Sequence, residues 1–221
     1  MIWRLLVVVG AAATLVTTAC SVRAQPARPL TYVAIGASDA VGVGAKDPET
    51  EGWVSRFGAQ LGSNVRVVNL GVSGSTLAQA LEEQAGPAVD AQPDVVTVWL
   101  AVNDLNARVP LEQYATELDA LLGELDGTHA RVLVGNVPDL SGLAVYRGID
   151  PALLEAEVQR WNQVIAETVQ RHGATLVDLH ARWQEVAEHP EYVSTDGFHP
   201  SSDGYERLAE VFAEAYADAR T

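Results

Sequence analysis

The chain has 221 residues and a formal net charge of −15, from 29 acidic against 14 basic side chains. So acidic a protein is repelled by nucleic acid and by anionic membrane surfaces, so neither is expected as a partner. The single cysteine, Cys20, rules out an intramolecular disulfide, and His129, His172, His180 and His189 are too scattered for a metal site, so neither metal nor cofactor is expected.

In chain order, the first feature is Arg4 followed by an apolar or small-residue run from Leu5 to Ala19, which reads as an export signal. A run of about 15 residues is short for a bilayer span, which needs about 20, so no stable span is expected after processing. Val22-Arg23-Ala24 fits ordinary cleavage after residue 24, while Thr17-Thr18-Ala19-Cys20 offers an alternative in which Cys20 carries a lipid anchor. The protein is therefore expected to be exported, to the cell envelope or beyond. Residues 25–29 read as a short extended tether, and the roughly 190 residues that follow fit one domain, expected to act as a monomer.

Within that domain, apolar and β-branched runs at Leu30–Ile35, Val65–Leu70, Val95–Val102, Arg131–Val137 and Ala174–Leu179 read as strands buried on both faces. Helical patterns alternate with them: Trp53–Leu61, Thr76–Gln84, Leu111–Leu125, Pro151–Arg171 and Asp203–Ala217. The alternation predicts a three-layer α/β/α fold, flavodoxin-like, with a parallel five-stranded sheet covered by helices on both faces. The fourth helix is the best marked, with Asp150 as N-cap, Pro151 in the first turn and Gly173 as the stop. For the last helix, Asp203 three residues ahead of Glu206 suggests a capping box.

The chemistry-bearing residues fall where strands run out, which is where open α/β sheets place their sites. Ser38 in Gly36-Ala37-Ser38-Asp39 follows the first strand. A serine there is commonly a turn residue, and Ala40 stands where a nucleophile elbow needs glycine. The glycines at 36, 42 and 44 fit no phosphate-binding fingerprint either. His199 in Asp196-Gly197-Phe198-His199-Pro200 precedes the last helix, and Asp196, three residues earlier on a glycine-containing turn, is placed to orient its imidazole. Serine, histidine and carboxylate are the groups that acyl transfer by a serine nucleophile requires. Gly71 offers an unhindered N–H and Asn103 a side-chain amide, both donors for an oxyanion, although each also suits an ordinary turn. In the 138–150 loop, Leu140, Leu143, Val145 and Tyr146 suggest either a pocket wall beside Ser38, with Leu143 and Tyr146 touching substrate, or a small satellite core.

Taken as four ordered blocks, these residues resemble the SGNH hydrolases, also called the GDSL lipases and esterases. The resemblance covers essentially the whole chain beyond the leader. It implies Ser38 as nucleophile in a triad with His199 and Asp196, and an oxyanion hole from Gly71, Asn103 and the N–H of Ser38 itself. It further implies a small-molecule ester substrate, and a lipid, an acylated sugar and a thioester all fit that class. Ala37 and Asp39 replace the Asp and Leu that usually flank the serine, and Ala101 replaces the glycine of Gly-x-Asn-Asp. Two other classes fit the same fold. One is a non-catalytic surface binding protein, against which the intact serine, histidine and asparagine argue. The other is a nucleotide-binding α/β protein, which the absent glycine fingerprint disfavours.

Overall fold

The computed structural model describes residues 28–183 and 189–219. The expected signal of residues 1–24, Cys20 included, lies outside them. Five strands form one parallel sheet: β1 (Leu30–Gly36), β2 (Val65–Asn69), β3 (Val95–Trp99), β4 (Arg131–Gly135) and β5 (Thr175–Val177), in the spatial order β2-β1-β3-β4-β5. At the entry to β1, Asp94 accepts the Thr31 N–H at 2.8 Å and pairs with the Arg28 guanidinium, which fixes the end of the tether to the sheet.

Successive side chains of a strand point to opposite faces, and here both faces are apolar. Val33 and Ile35 of β1, Val96 and Val98 of β3 and Val134 of β4 enter one core; Tyr32, Ala34, Val95, Trp99 and Leu133 enter the other. Thr97 of β3 is polar and fully buried but bonds the Tyr32 hydroxyl at 2.9 Å, so its hydroxyl is satisfied there. The strand β2 departs from the expectation of burial on both faces: it is an edge, and Val67 is 40% exposed.

Ten α-helices complete the layers among the described residues: α1 (Ser38–Val41), α2 (Pro48–Glu51), α3 (Trp53–Leu61), α4 (Leu77–Glu83), α5 (Ala85–Asp90), α6 (Val102–Asn106), α7 (Leu111–Asp126), α8 (Pro151–Arg171), α9 (Leu179–Trp183) and α10 (Ser202–Asp218). The first core receives side chains of α4, α5, α7 and α8, and the second those of α3 and α10. In α8, Leu154, Val158, Trp161, Ile165 and Val169 form the buried stripe, Asp150 caps the start through the N–H of Ala152 at 2.9 Å, and Gly173 ends the helix at φ +62°.

Several boundaries differ from the sequence reading, and two of them bear on the site. The N-cap of α10 is Ser201, whose hydroxyl accepts the Gly204 N–H at 3.2 Å, so Asp203 lies inside the first turn instead of capping it. The third apolar run does not continue as strand to Val102: β3 stops at Trp99 and the chain turns into α6, placing Asn103 on a short helix. Apolar character alone does not separate a buried strand from the buried start of a helix.

Candidate active site

In a sheet ordered 2-1-3-4-5, the chain leaves β1 toward one edge and β3 toward the other, and a crevice opens between their carboxyl ends. Ser38 stands at the end of β1 as the first residue of α1, and Asn103 follows β3, so these two flank the crevice. The first βα turn thus delivers a serine on a four-residue helix in place of a glycine-rich cradle. Gly36 and Gly71 are required here by close approach: a Cβ at either would stand 2.8 or 2.6 Å from the Cβ of Ala40 on α1.

His199 reaches Ser38 from the opposite end of the chain. Its Nε2 lies 3.0 Å from Ser38 Oγ, and its Nδ1 lies 2.7 Å from Asp196 Oδ2. The local turn sets this geometry. Ser194 donates its N–H to the His199 carbonyl at 2.8 Å, Gly197 sits at φ +72°, and Asp196 Oδ1 accepts the N–H groups of Phe198 and His199 at 2.8 and 2.9 Å. Partial burial works to raise the Asp196 pKa, but the bond to the His199 ring and the two backbone N–H bonds outweigh it and hold the carboxyl well below its ordinary range. The carboxylate is therefore ionised and oriented, as a group that steadies an imidazolium must be.

Two loops brace this turn. Ala144 donates its N–H to the Gly197 carbonyl at 3.1 Å, and Phe198 packs edge-on against the His199 ring with centroids 4.8 Å apart. Gly44, at φ +100°, lies so close that a Cβ there would strike the Pro200 carbonyl and come within 3.1 Å of the His199 Cβ.

The three expected oxyanion donors stand differently from one another. The N–H of Ser38 belongs to the first turn of α1, where no intrahelical acceptor exists. Asn103 gives one amide hydrogen to the Ser75 carbonyl at 2.9 Å, which fixes the amide plane and leaves its second hydrogen. Gly71 donates its N–H to Asn69 Oδ1 at 3.0 Å, while Asn69 Nδ2 bonds the Ala40 carbonyl at 2.6 Å. In this conformation the Gly71 N–H is occupied.

Beside Ser38 lies a narrow cleft of about 20 Å³ lined by Ala37, Ser38, Asp39, Trp99, Asn103 and Phe198 among others. A second, of about 30 Å³, adjoins it through Asp39, Trp99, Val102 and Phe198 and continues to Pro138, Leu140 and Leu143. Leu143 thus lines a cleft. Tyr146 does not line either one; it is 6% exposed in the core and its hydroxyl bonds Asn106 Oδ1 at 2.9 Å. Burial is the leading influence on Asp39 and pushes its carboxyl up to about 6, against the opposing attraction of His199.

Sequence reasoning missed a buried polar network under the crevice. The Gln84 side chain takes the Gly36 N–H and donates to the Gly36 carbonyl, both at 3.0 Å, and reaches Ser75 Oγ at 3.4 Å. Asp104, wholly buried, accepts the Leu77 N–H at the start of α4 at 3.0 Å. The ends of β1 and β3 and the segment after β2 are thereby tied together. Asp104 was visible as the neighbour of Asn103; nothing in the sequence marked Gln84. Among the described residues, no group of three or more His, Cys, Asp or Glu side chains is placed to hold a metal ion.

A parallel α/β sheet with serine, histidine and carboxylate converging at its carboxyl edge defines a hydrolase of the esterase class. The chain belongs to the GDSL-like lipase/acylhydrolase family, whose model matches residues 34–207. It is 23% identical over 155 residues to an acetylxylan esterase of Geobacillus stearothermophilus, covering 67% of this chain and 70% of that protein. Its fold is similar to the crystal structure of TesA, with a TM-score of 0.71, 21% identity and coverage of 86% of this chain and 99% of that one. A lipase/acylhydrolase from Enterococcus faecalis matches with a TM-score of 0.69, 21% identity, and coverage of 84% and 94%.

Proposed function

We propose that the protein hydrolyses short-chain carboxylic esters through an acyl-enzyme on Ser38. The observation that carries this reading is the unbroken chain from Ser38 Oγ to His199 Nε2 at 3.0 Å and from His199 Nδ1 to Asp196 Oδ2 at 2.7 Å. His199 takes the Ser38 proton as Oγ bonds the ester carbonyl carbon, and Asp196 steadies the imidazolium. The carbonyl oxygen gains the negative charge, and the free amide hydrogen of Asn103 and the N–H of Ser38 stabilise it. As the C–O bond to the alcohol breaks, His199 returns its proton to the leaving oxygen. Water then repeats the sequence with His199 again as base and releases the acid. For Gly71 to serve as a third donor, its N–H must leave Asn69 when the oxyanion forms.

The small clefts beside Ser38 favour a short acyl group, and the acetyl ester in the name of the Geobacillus relative supports that choice. Export by the leader of residues 1–24, with Cys20 as a lipid-bearing alternative, and action as a monomer belong to the same proposal.

The test is hydrolysis of p-nitrophenyl esters of graded chain length by residues 25–221, beside S38A purified identically. Activity falling from acetate to octanoate and lost in S38A is expected. Equal activity in S38A would overturn the reading.

A further inference from the structure

Gln84 stands where α4 ends and α5 begins, and its backbone is held from both sides. Its N–H donates to the Ala80 carbonyl at 2.8 Å, and its carbonyl accepts the Ala88 N–H at 2.9 Å. Although polar, the residue is 2% exposed. Burial of an amide is costly unless its donors and acceptor are met, and here they are met as a pair: Oε1 accepts the Gly36 N–H and Nε2 donates to the Gly36 carbonyl, both at 3.0 Å. Gly36 is the last residue of β1, and Ala37 alone separates it from Ser38. The two bonds fix the peptide groups on either side of Gly36, and with them the path by which the Ser38 N–H is delivered.

The segment that carries Gln84 is anchored at its other end to the opposite wall of the crevice. Asp104, directly after Asn103, takes the Leu77 N–H in the first turn of α4 at 3.0 Å, and the Ser75 carbonyl before that helix takes one amide hydrogen of Asn103 at 2.9 Å. Residues 75–84 thus hold the Ser38 turn by one end and Asn103 by the other. Two oxyanion donors on different strand ends need such a spacer, because the pairing of β1 with β3 stops at Gly36 and Trp99.

We propose that Gln84 is a positioning residue for catalysis: acting through Gly36, it sets the separation of the Ser38 N–H from the Asn103 amide and so the fit of the oxyanion hole to the tetrahedral intermediate. This rests on the esterase reading above. A misplacement of about 1 Å at a reacting centre costs on the order of a hundredfold in rate. The loss falls on kcat, since these donors act on charge that develops in the transition state.

The test is steady-state hydrolysis of p-nitrophenyl acetate by the wild type, Q84M, N103A, Q84M/N103A, T97V and S38A. Methionine keeps the length of the side chain and removes both bonds to Gly36. Q84M is expected to lower kcat by roughly ten- to a hundredfold with KM within about twofold of the wild type. In the N103A background the same change is expected to cost less than about threefold, because the spacing of two donors ceases to matter once one is gone. T97V removes a buried hydrogen bond from the middle of β3 and is expected to keep the wild-type kcat, which separates positioning from general loss of stability. Should Q84M fail to fold, Q84E takes its place: its carboxylate still accepts the Gly36 N–H but brings no hydrogen to the Gly36 carbonyl, and the same split between kcat and KM and the same coupling to N103A are expected. With S38A inactive, an unchanged kcat in the Gln84 variant, a loss by the same factor with and without Asn103, or an equal loss in T97V would each overturn the proposal and leave the esterase reading standing. Activity retained in S38A would overturn the esterase reading and this proposal with it.

Discussion

At the scale of single residues, the site depends on how many of each group's hydrogen bonds are already committed. Asn103 spends one amide hydrogen on Ser75 and keeps the other, so its amide is held in place without being silenced. Replacing it by alanine is expected to lower kcat by about a hundredfold or more with a much smaller change in KM, the pattern of a donor that acts on the developing oxyanion. A rise in KM with kcat unchanged would contradict that role.

At the scale of elements, the strand ends are joined by side chains rather than by the sheet alone. Asp104 links α6 to the first turn of α4, and burial pushes its carboxyl up to about 6, against the opposing bond from the Leu77 N–H. An acid whose pKa is higher folded than unfolded binds its proton more readily in the native state, so its contribution to stability declines as pH rises from about 4 to about 6. Measured by urea unfolding, the stability of the wild type relative to D104N is expected to fall over that window, by up to about 3 kcal/mol. A difference that does not vary with pH would show that Asp104 titrates normally. The main strands and long helices were legible because their apolar periodicity is set by burial on two faces, and α8 was legible to its caps at Asp150 and Gly173. The short helices α1, α2, α5, α6 and α9 were not, since four to six residues carry too little periodicity to register. Gln84 was invisible for a different reason: its role lies in bonding Gly36, 48 residues away, and no local pattern encodes that.

At the scale of the whole molecule, the strand order brings together residues separated by as many as 161 positions, Ser38 and His199. The sequence offered His199 and Asp196 as a local pair on one turn, and Ser38 and Asn103 as strand-end residues, so most of the candidate site could be read before folding. What could not be read was occupancy: the Gly71 N–H is bonded to Asn69, and Tyr146 lies in the core away from the clefts.

The most direct measurement is reaction of the protein with a fluorophosphonate, followed by intact-mass and peptide mass spectrometry. A single adduct on Ser38, with fluoride displaced by Oγ, is expected, absent in S38A and strongly slowed in H199A. No adduct, or one carried by another residue while Ser38 stays unmodified, would contradict the assignment of Ser38 as the nucleophile.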